Sequence, residues 1–223
     1  MFFVGAYWRP RAEPAGRCAE RLGKCLTAIG AAHPLLRTWF RKGRRGSGPV
    51  ALTPESLEAL LSAGRNRTDT TGAVIPELGF TAALWNGDDP PASFSTTCGA
   101  TPTTPYVMNH FALQLPGPDE GTAAELYAAR TARTMFCAAV AAWSPDWATF
   151  ASDTMRAAQV GSSGGRVAGW MTYLRDVPEL PVVAPGISVE PFGDGILITA
   201  GTDPLHVEDE AIAGLRAYLD RTR

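Results

Sequence analysis

Two runs of strand-like segments, separated by helical ones, predict an α+β fold. The expected architecture is an antiparallel or mixed sheet of about seven to eight strands in two runs, with helices packed against it. Three observations carry this. Strands Gly79 to Trp85, Ser93 to Gly99 and Tyr106 to Leu115 follow one another with short joins, the pattern of an antiparallel meander. A second run comprises Asp146 to Ser152, Val167 to Leu174, Ile187 to Glu190 and Gly195 to Ala200. Between and around the runs lie segments whose apolar residues recur at helical spacing.

Phe2 to Tyr7 reads as a first strand. A helix is expected from Pro14 to Ile29, with Ala15, Cys18, Leu22, Cys25, Leu26 and Ile29 on one stripe and Gly30 and Pro34 as its stop. Leu35, Leu36, Trp39 and Phe40 form an apolar knot. The basic, glycine-rich loop 41–48 could hold an anion through backbone N–H groups, but it is not a P-loop, and a solvated loop is the simpler reading. Thr53 caps a second helix from Pro54 to Ala63. Asn86-Gly87 marks the turn of a hairpin. Thr122-Ala123-Ala124-Glu125 has the form of a capping box and predicts a third helix from there to Trp143. Asp203-Pro204 is expected to open a last helix with Leu205, Ile212, Leu215 and Leu219 inward.

The octet Val167 to Leu174 is expected to organise the sheet. Trp170, Thr172 and Leu174 fall on one side, Gly169, Met171 and Tyr173 on the other, and both sides are mostly apolar, so the strand is expected to be covered on both faces. Gly169 would let a backbone or a ring approach closely.

The 223 residues fit a single domain, 1–223, long enough to bury a large core. Apolar runs fall far short of the roughly 20 residues of a membrane span, and the N-terminus lacks the basic start and apolar core of a signal peptide. A cytoplasmic protein is expected. Asn66-Arg67-Thr68 matches a glycosylation acceptor that means nothing without secretion. Cys18 and Cys25 share the apolar face of the first helix. Cys98 and Cys137 stand alone, and no Cys or His spacing suits a metal. The net charge of −2 is unevenly spread: residues 1–67 carry +8 and residues 68–223 carry −10. An acidic portion suits a basic partner, although distant segments can mix on folding.

Catalytic patterns are missing. There is no G-x-S-x-G, H-E-x-x-H, Walker or dinucleotide motif, and Lys24 and Lys42 are the only lysines to serve a nuclease. Asp88-Asp89 and Glu208-Asp209-Glu210 are read as a turn and a helix start. The six tryptophans are mostly core, with Trp8 and Trp85 as candidate exposed anchors of a protein interface and Asn86, Asp88 and Asp89 as a polar rim. Arg65 and Arg67, around Asn66, could hold an internal carboxylate or a partner's.

Several pieces, in order, resemble the bacterial immunity protein 52 family: Val4-Gly5-Ala6-Tyr7-Trp8, Trp39-Phe40, Gly64-Arg65-Asn66-Arg67, Glu77-Leu78-Gly79-Phe80, Leu84-Trp85-Asn86-Gly87, Cys98-Gly99, Trp143-Ser144-Pro145-Asp146-Trp147 and Gly169-Trp170-Met171-Thr172-Tyr173-Leu174. The resemblance implies a role and no reaction. Such proteins are encoded beside polymorphic toxins and neutralise the cognate toxin by binding. In this family the toxin is typically a restriction-endonuclease-like nuclease, often delivered by contact-dependent or type VI secretion. The resemblance brings no catalytic residue, no metal and no cofactor, and Trp8, Trp147, Gly169, Trp170 and Tyr173 become structural motif positions. Contact with nucleic acid or membrane is not expected, and a homodimer stays open. Candidate toxin contacts are Arg65, Asn66, Arg67, Trp85, Asn86, Asp88 and Asp89. The alternatives are a small hydrolase using the polar loops 64–69 or 161–165, or a small-molecule-binding domain.

Overall fold

A computed structural model describes residues 1–41, 48–103, 107–159, 165–177 and 186–221. The first strand, β1 (Phe2–Trp8), is the centre of the molecule. It pairs antiparallel with β5 (Asn109–Leu115) on one side and β6 (Trp147–Ser152) on the other. Outside β5 lie β4 (Ser93–Cys98), β3 (Phe80–Trp85) and the two-residue β2 (Phe40–Arg41). Outside β6 lie β7 (Met171–Arg175), β9 (Gly195–Ala200) and β8 (Ile187–Phe192). The nine strands among the described residues form one sheet, and every pair is antiparallel. The two expected runs are its two wings, joined by β1. The ninth strand, β2, is short and lies within the apolar knot.

Three helices cover one face. The first, α1 (Ala15–Ala32), runs through Gly30 and ends at His33, just before Pro34. The next, α2 (Pro54–Ala63), has the expected Thr53 cap, whose Oγ1 accepts from the Ser56 amide at 3.3 Å. The third, α3 (Ala129–Trp143), begins later than expected. Thr122 does not cap it. Ala123–Tyr127 is a separate 3-10 turn, and Ala128 at φ −57°, ψ 130° breaks the chain direction before α3. The Tyr127 hydroxyl, donating to the Pro116 carbonyl, holds that break in place.

Under these helices lies the main core. Val4, Ala6 and Trp8 of β1 meet Phe94, Phe111, Phe150 and Tyr173 from neighbouring strands and Leu22, Phe136 and Trp143 from the helices. Trp8 stacks on Trp143 at 4.9 Å between centroids, and Cys18 and Cys25 are buried on the helical face as expected. Burial pushes the Cys25 thiol pKa up, against a smaller opposite effect of the Trp143 indole.

Among the described residues, the helix on the opposite face covers the second wing. There α5 (Asp209–Arg221) seats Leu215, Tyr218 and Leu219 on Trp147, Leu174, Ile196 and Ile198. This helix starts six residues after the expected Asp203. Asp203 instead closes a turn through its Oδ1, which accepts from the amides of Leu205 and His206, and this leaves Leu205 exposed rather than inward. A short helix unanticipated from the sequence, α4 (Asp153–Ala158), follows β6, and its Ser152 cap accepts from the Met155 amide.

The octet Val167 to Leu174 is corrected in two ways. The strand begins at Met171, and β7 is not the centre but lies two places from it, separated from β1 by β6. Its burial on both faces holds: Met171 and Tyr173 enter the main core, and Leu174 enters the second. Trp170 precedes the strand and so escapes its alternation; it packs edge-on to Phe150 in the main core, on the side of Tyr173. Instead of a sheet ladder, the Gln159 side chain takes both the N–H and the carbonyl of Ala168.

His33 gives a pH prediction. Its Nδ1 accepts from the Leu35 amide at 3.3 Å, so the neutral ring carries its proton on Nε2, 3.7 Å from the Glu125 carboxylate. Desolvation lowers its pKa, against a smaller raising effect of Glu125. His110 is lowered as well, also by burial. The unfolded chain therefore takes up protons first, and stability is lost as pH falls below the ordinary histidine value of about 6.5. The urea midpoint should drop between pH 7.5 and 5.5, and His33→Asn, whose Oδ1 can still accept from Leu35, should flatten that dependence without abolishing it.

Candidate functional site

The seven candidate contacts divide between the two ends of β3. Arg65 forms a β-bridge to Phe80, at the start of the strand, and its guanidinium sits 4.9 Å from the Phe80 ring centroid. Arg67 bridges Val74 and donates to the Gly72 carbonyl at 2.9 Å, while the Asn66 carbonyl accepts from Ile75. These arginines anchor a hairpin-like excursion through backbone and ring. Neither arginine forms an ion pair with a carboxylate among the described residues.

Trp85, Asn86, Asp88 and Asp89 lie five residues or more further on, about 17 Å away at the rise of a strand. Trp85 is half-buried and paired across to Phe40. Asn86 is 4 % exposed. Its Oδ1 accepts from the amides of Asp88 and Ala92, and its Nδ2 donates to the Leu35 carbonyl and to Asp88. Asn86 thus shapes the loop from inside, and Asp88 and Asp89 are its exposed part. Asn86→Ala should strand the Leu35 carbonyl and two loop amides and destabilise by about 1–2 kcal/mol in a denaturant titration.

A cleft of about 320 Å³ opens beside this loop, lined by Asp88, Asp89 and Glu120 among others, and among the described residues no Lys or Arg lines it. Glu120 accepts from the Gly117 amide. None of the three carboxylates has an ion pair among the described residues.

Beside it lies the uncovered part of the sheet. Over β3, β4 and β5 no described helix packs on the face opposite α1 to α3. Register places Ala83, Ser95, Ala112 and Gly5 in one row across four strands. The row nearer the acidic loop begins with Phe40, Trp85, Ser93 and Gln114. The far row runs Thr81, Thr97, His110, Tyr7, Trp147. Tyr7 stacks on Trp147 at 4.3 Å, and its ring lies over Gly5, where a Cβ would be 2.6 Å away. Alternation alone does not show these rows, because they need the register.

The structural motif positions are mostly interior. Trp8, expected as a possible exposed anchor, is 1 % exposed, since even positions of β1 face the helices. Trp147, Trp170 and Tyr173 are buried, and Gly169 meets the Phe150 carbonyl. Residues 42–47 of the basic loop 41–48 and residues 161–164 of the glycine-rich stretch 161–165 lie outside the described residues, as do Tyr106 and the prolines 178, 181 and 185. Among the described residues no group of three or more His, Cys, Asp or Glu is placed to hold a metal, and no helix is long and apolar enough to cross a membrane.

The chain belongs to the Immunity protein 52 family, whose profile matches residues 1–217. Among solved structures, the Pseudomonas aeruginosa T6SS protein PA0821 is similar, with a TM-score of 0.60 at 13% identity over 100% of this chain and 76% of that one. At that identity the likeness is one of fold. No curated protein matches the chain.

Proposed function

We propose that this immunity protein works in the cytoplasm, where it binds a cognate toxin, a restriction-endonuclease-like nuclease passed between bacteria, and blocks it by contact without making or breaking bonds. The observation that carries the reading is the charge distribution. Residues 68–223 carry the acidic excess, and Asp88, Asp89 and Glu120 line one cleft that no Lys or Arg among the described residues lines. A nuclease surface that holds phosphates is basic, so acid on the inhibitor steers the two together. The similarity to a protein described as belonging to a T6SS supports delivery by that route. Trp85, Asp88 and Asp89 are the proposed contacts at one end of β3. Arg65, Asn66 and Arg67 would contribute only if the toxin also reaches the other end.

Co-expression with the toxin domain encoded beside it should rescue growth and yield a one-to-one complex on size-exclusion chromatography. Raising salt from 50 to 500 mM should slow association more than it speeds dissociation. Unrescued growth with no complex would sink the reading. A complex with a toxin that leaves nucleic acid intact but kills by another chemistry would overturn the nuclease assignment alone.

A further inference from the structure

The open face of the first wing is unusual in what it lacks. Along β3, β4 and β5 its outward positions are Thr81, Ala83, Trp85, then Ser93, Ser95, Thr97, then His110, Ala112 and Gln114. None is Asp, Glu, Lys or Arg. A sheet face that only meets water ordinarily carries charges, which keep it soluble and discourage association. The centres of protein interfaces are depleted of charge and enriched in aromatic residues. Here Phe40 and Trp85 stand half-buried at one side of the row of Ala83, Ser95 and Ala112, and the Tyr7 ring closes its β1 end over Gly5, so the row is a shallow trough with aromatic rims. The rows on either side of it lie about 13 Å apart along the strands.

The trough's surroundings specify its occupant. At the Trp85 end, the β3–β4 loop presents Asp88 and Asp89, and the loop after β5 presents Asp119 and Glu120. These carboxylates have no ion pairs among the described residues, so their charge is available to a partner. Resting on the toxin-binding role proposed above, we infer that the uncovered face of β3, β4 and β5 is the toxin's docking surface. The toxin would seat an apolar projection in the trough beneath Trp85, and a Lys- or Arg-bearing segment between the loops carrying Asp88, Asp89 and Glu120. The helical face plays no part in the contact. The two halves of the surface do different work: the trough determines how long the complex lasts, and the acidic end how fast it forms.

The test uses the full chain and a catalytically silenced toxin domain from the adjacent reading frame, with binding kinetics read by surface plasmon resonance. Ser95→Arg and Ala112→Arg add bulk and charge at outward positions of strands whose inward residues are untouched. Each should weaken binding by at least about 30-fold, mainly in dissociation. The pair Asp88→Lys with Asp89→Lys should slow association by about tenfold and flatten its salt dependence. Lys24→Glu, on the outer side of α1, should leave both rates unchanged. Circular dichroism and an unchanged melting temperature establish that each variant is folded. Wild-type kinetics for Ser95→Arg and Ala112→Arg, with loss of binding for Lys24→Glu, would overturn the inference and leave the toxin-binding role standing. No binding by the wild-type chain would overturn both. A wild-type dimer that Ser95→Arg converts to monomer, with toxin binding intact, would assign the face to a second copy of the chain and overturn the toxin as its occupant.

Discussion

Trp143→Ala should remove about 3–5 kcal/mol of stability, enough to unfold much of the population of a domain of ordinary stability. Trp143 is fully buried at the last turn of α3. Its ring stacks on Trp8 at 4.9 Å and lies 6.2 Å from Phe111, so one side chain joins a helix to β1 and β5. Truncation leaves a cavity that three rigid elements cannot collapse, because β1 is clamped on both sides by strand ladders. The C-terminus of α3 would loosen with it. There the Arg11 and Arg21 guanidinium groups donate to the carbonyls of Trp143 and Ala142 while both hold Glu13. Urea titration by far-UV circular dichroism measures the loss. Trp143→Phe keeps a ring and part of the stack, and should lose less than half as much. Equal midpoints for wild type and Trp143→Ala would mean that the stack is not part of the cooperative core.

Gly169→Ala should cost about 3 kcal/mol, from the addition of a single methyl group. A Cβ at Gly169 would lie 2.3 Å from the Phe150 carbonyl oxygen and 2.5 Å from Thr149 Oγ1. The first contact is with the backbone of β6, which is paired on both edges and cannot retreat. The double variant Gly169→Ala with Thr149→Ala separates the two contacts. It removes the hydroxyl but not the carbonyl, so it should recover little of the loss. Full recovery would show that the side chain, and not the strand, sets the limit. Since Gly169 N–H donates to Thr172 Oγ1 just ahead of β7, the expected result also includes fraying at the start of that strand.

Local signals in the sequence were read well where the cause is local. Thr53-Pro54 starts α2 because a hydroxyl and a fixed φ act within one turn. The meander of β3, β4 and β5 followed from short joins, which leave neighbours no route but antiparallel pairing. Thr122-Ala123-Ala124-Glu125 misled, because the pattern is worth about 1 kcal/mol and the buried Tyr127, with its hydroxyl on the Pro116 carbonyl, outweighed it. Asp203-Pro204 misled in the same way: the Asp203 carboxylate was taken up by a turn closing on His206. The candidate contacts are close in sequence, but Arg65 bridges the first residue of β3 while Trp85 is its last, so the two lie a strand's length apart.

By itself the sequence determined the α+β class, the two strand runs, the tryptophan core and, through its ordered motifs, the immunity family. These rest on periodicity, turn chemistry and motif order, which act between neighbours or are carried in the chain directly. Only the tertiary structure decided that β1 is the central strand, that Trp8 faces inward, and that Ala83, Ser95 and Ala112 align in one uncharged trough beside Asp88 and Asp89. The physical reason is register: strands bond to partners a hundred residues away, and which side chains share a row depends on that pairing and not on either strand's own pattern.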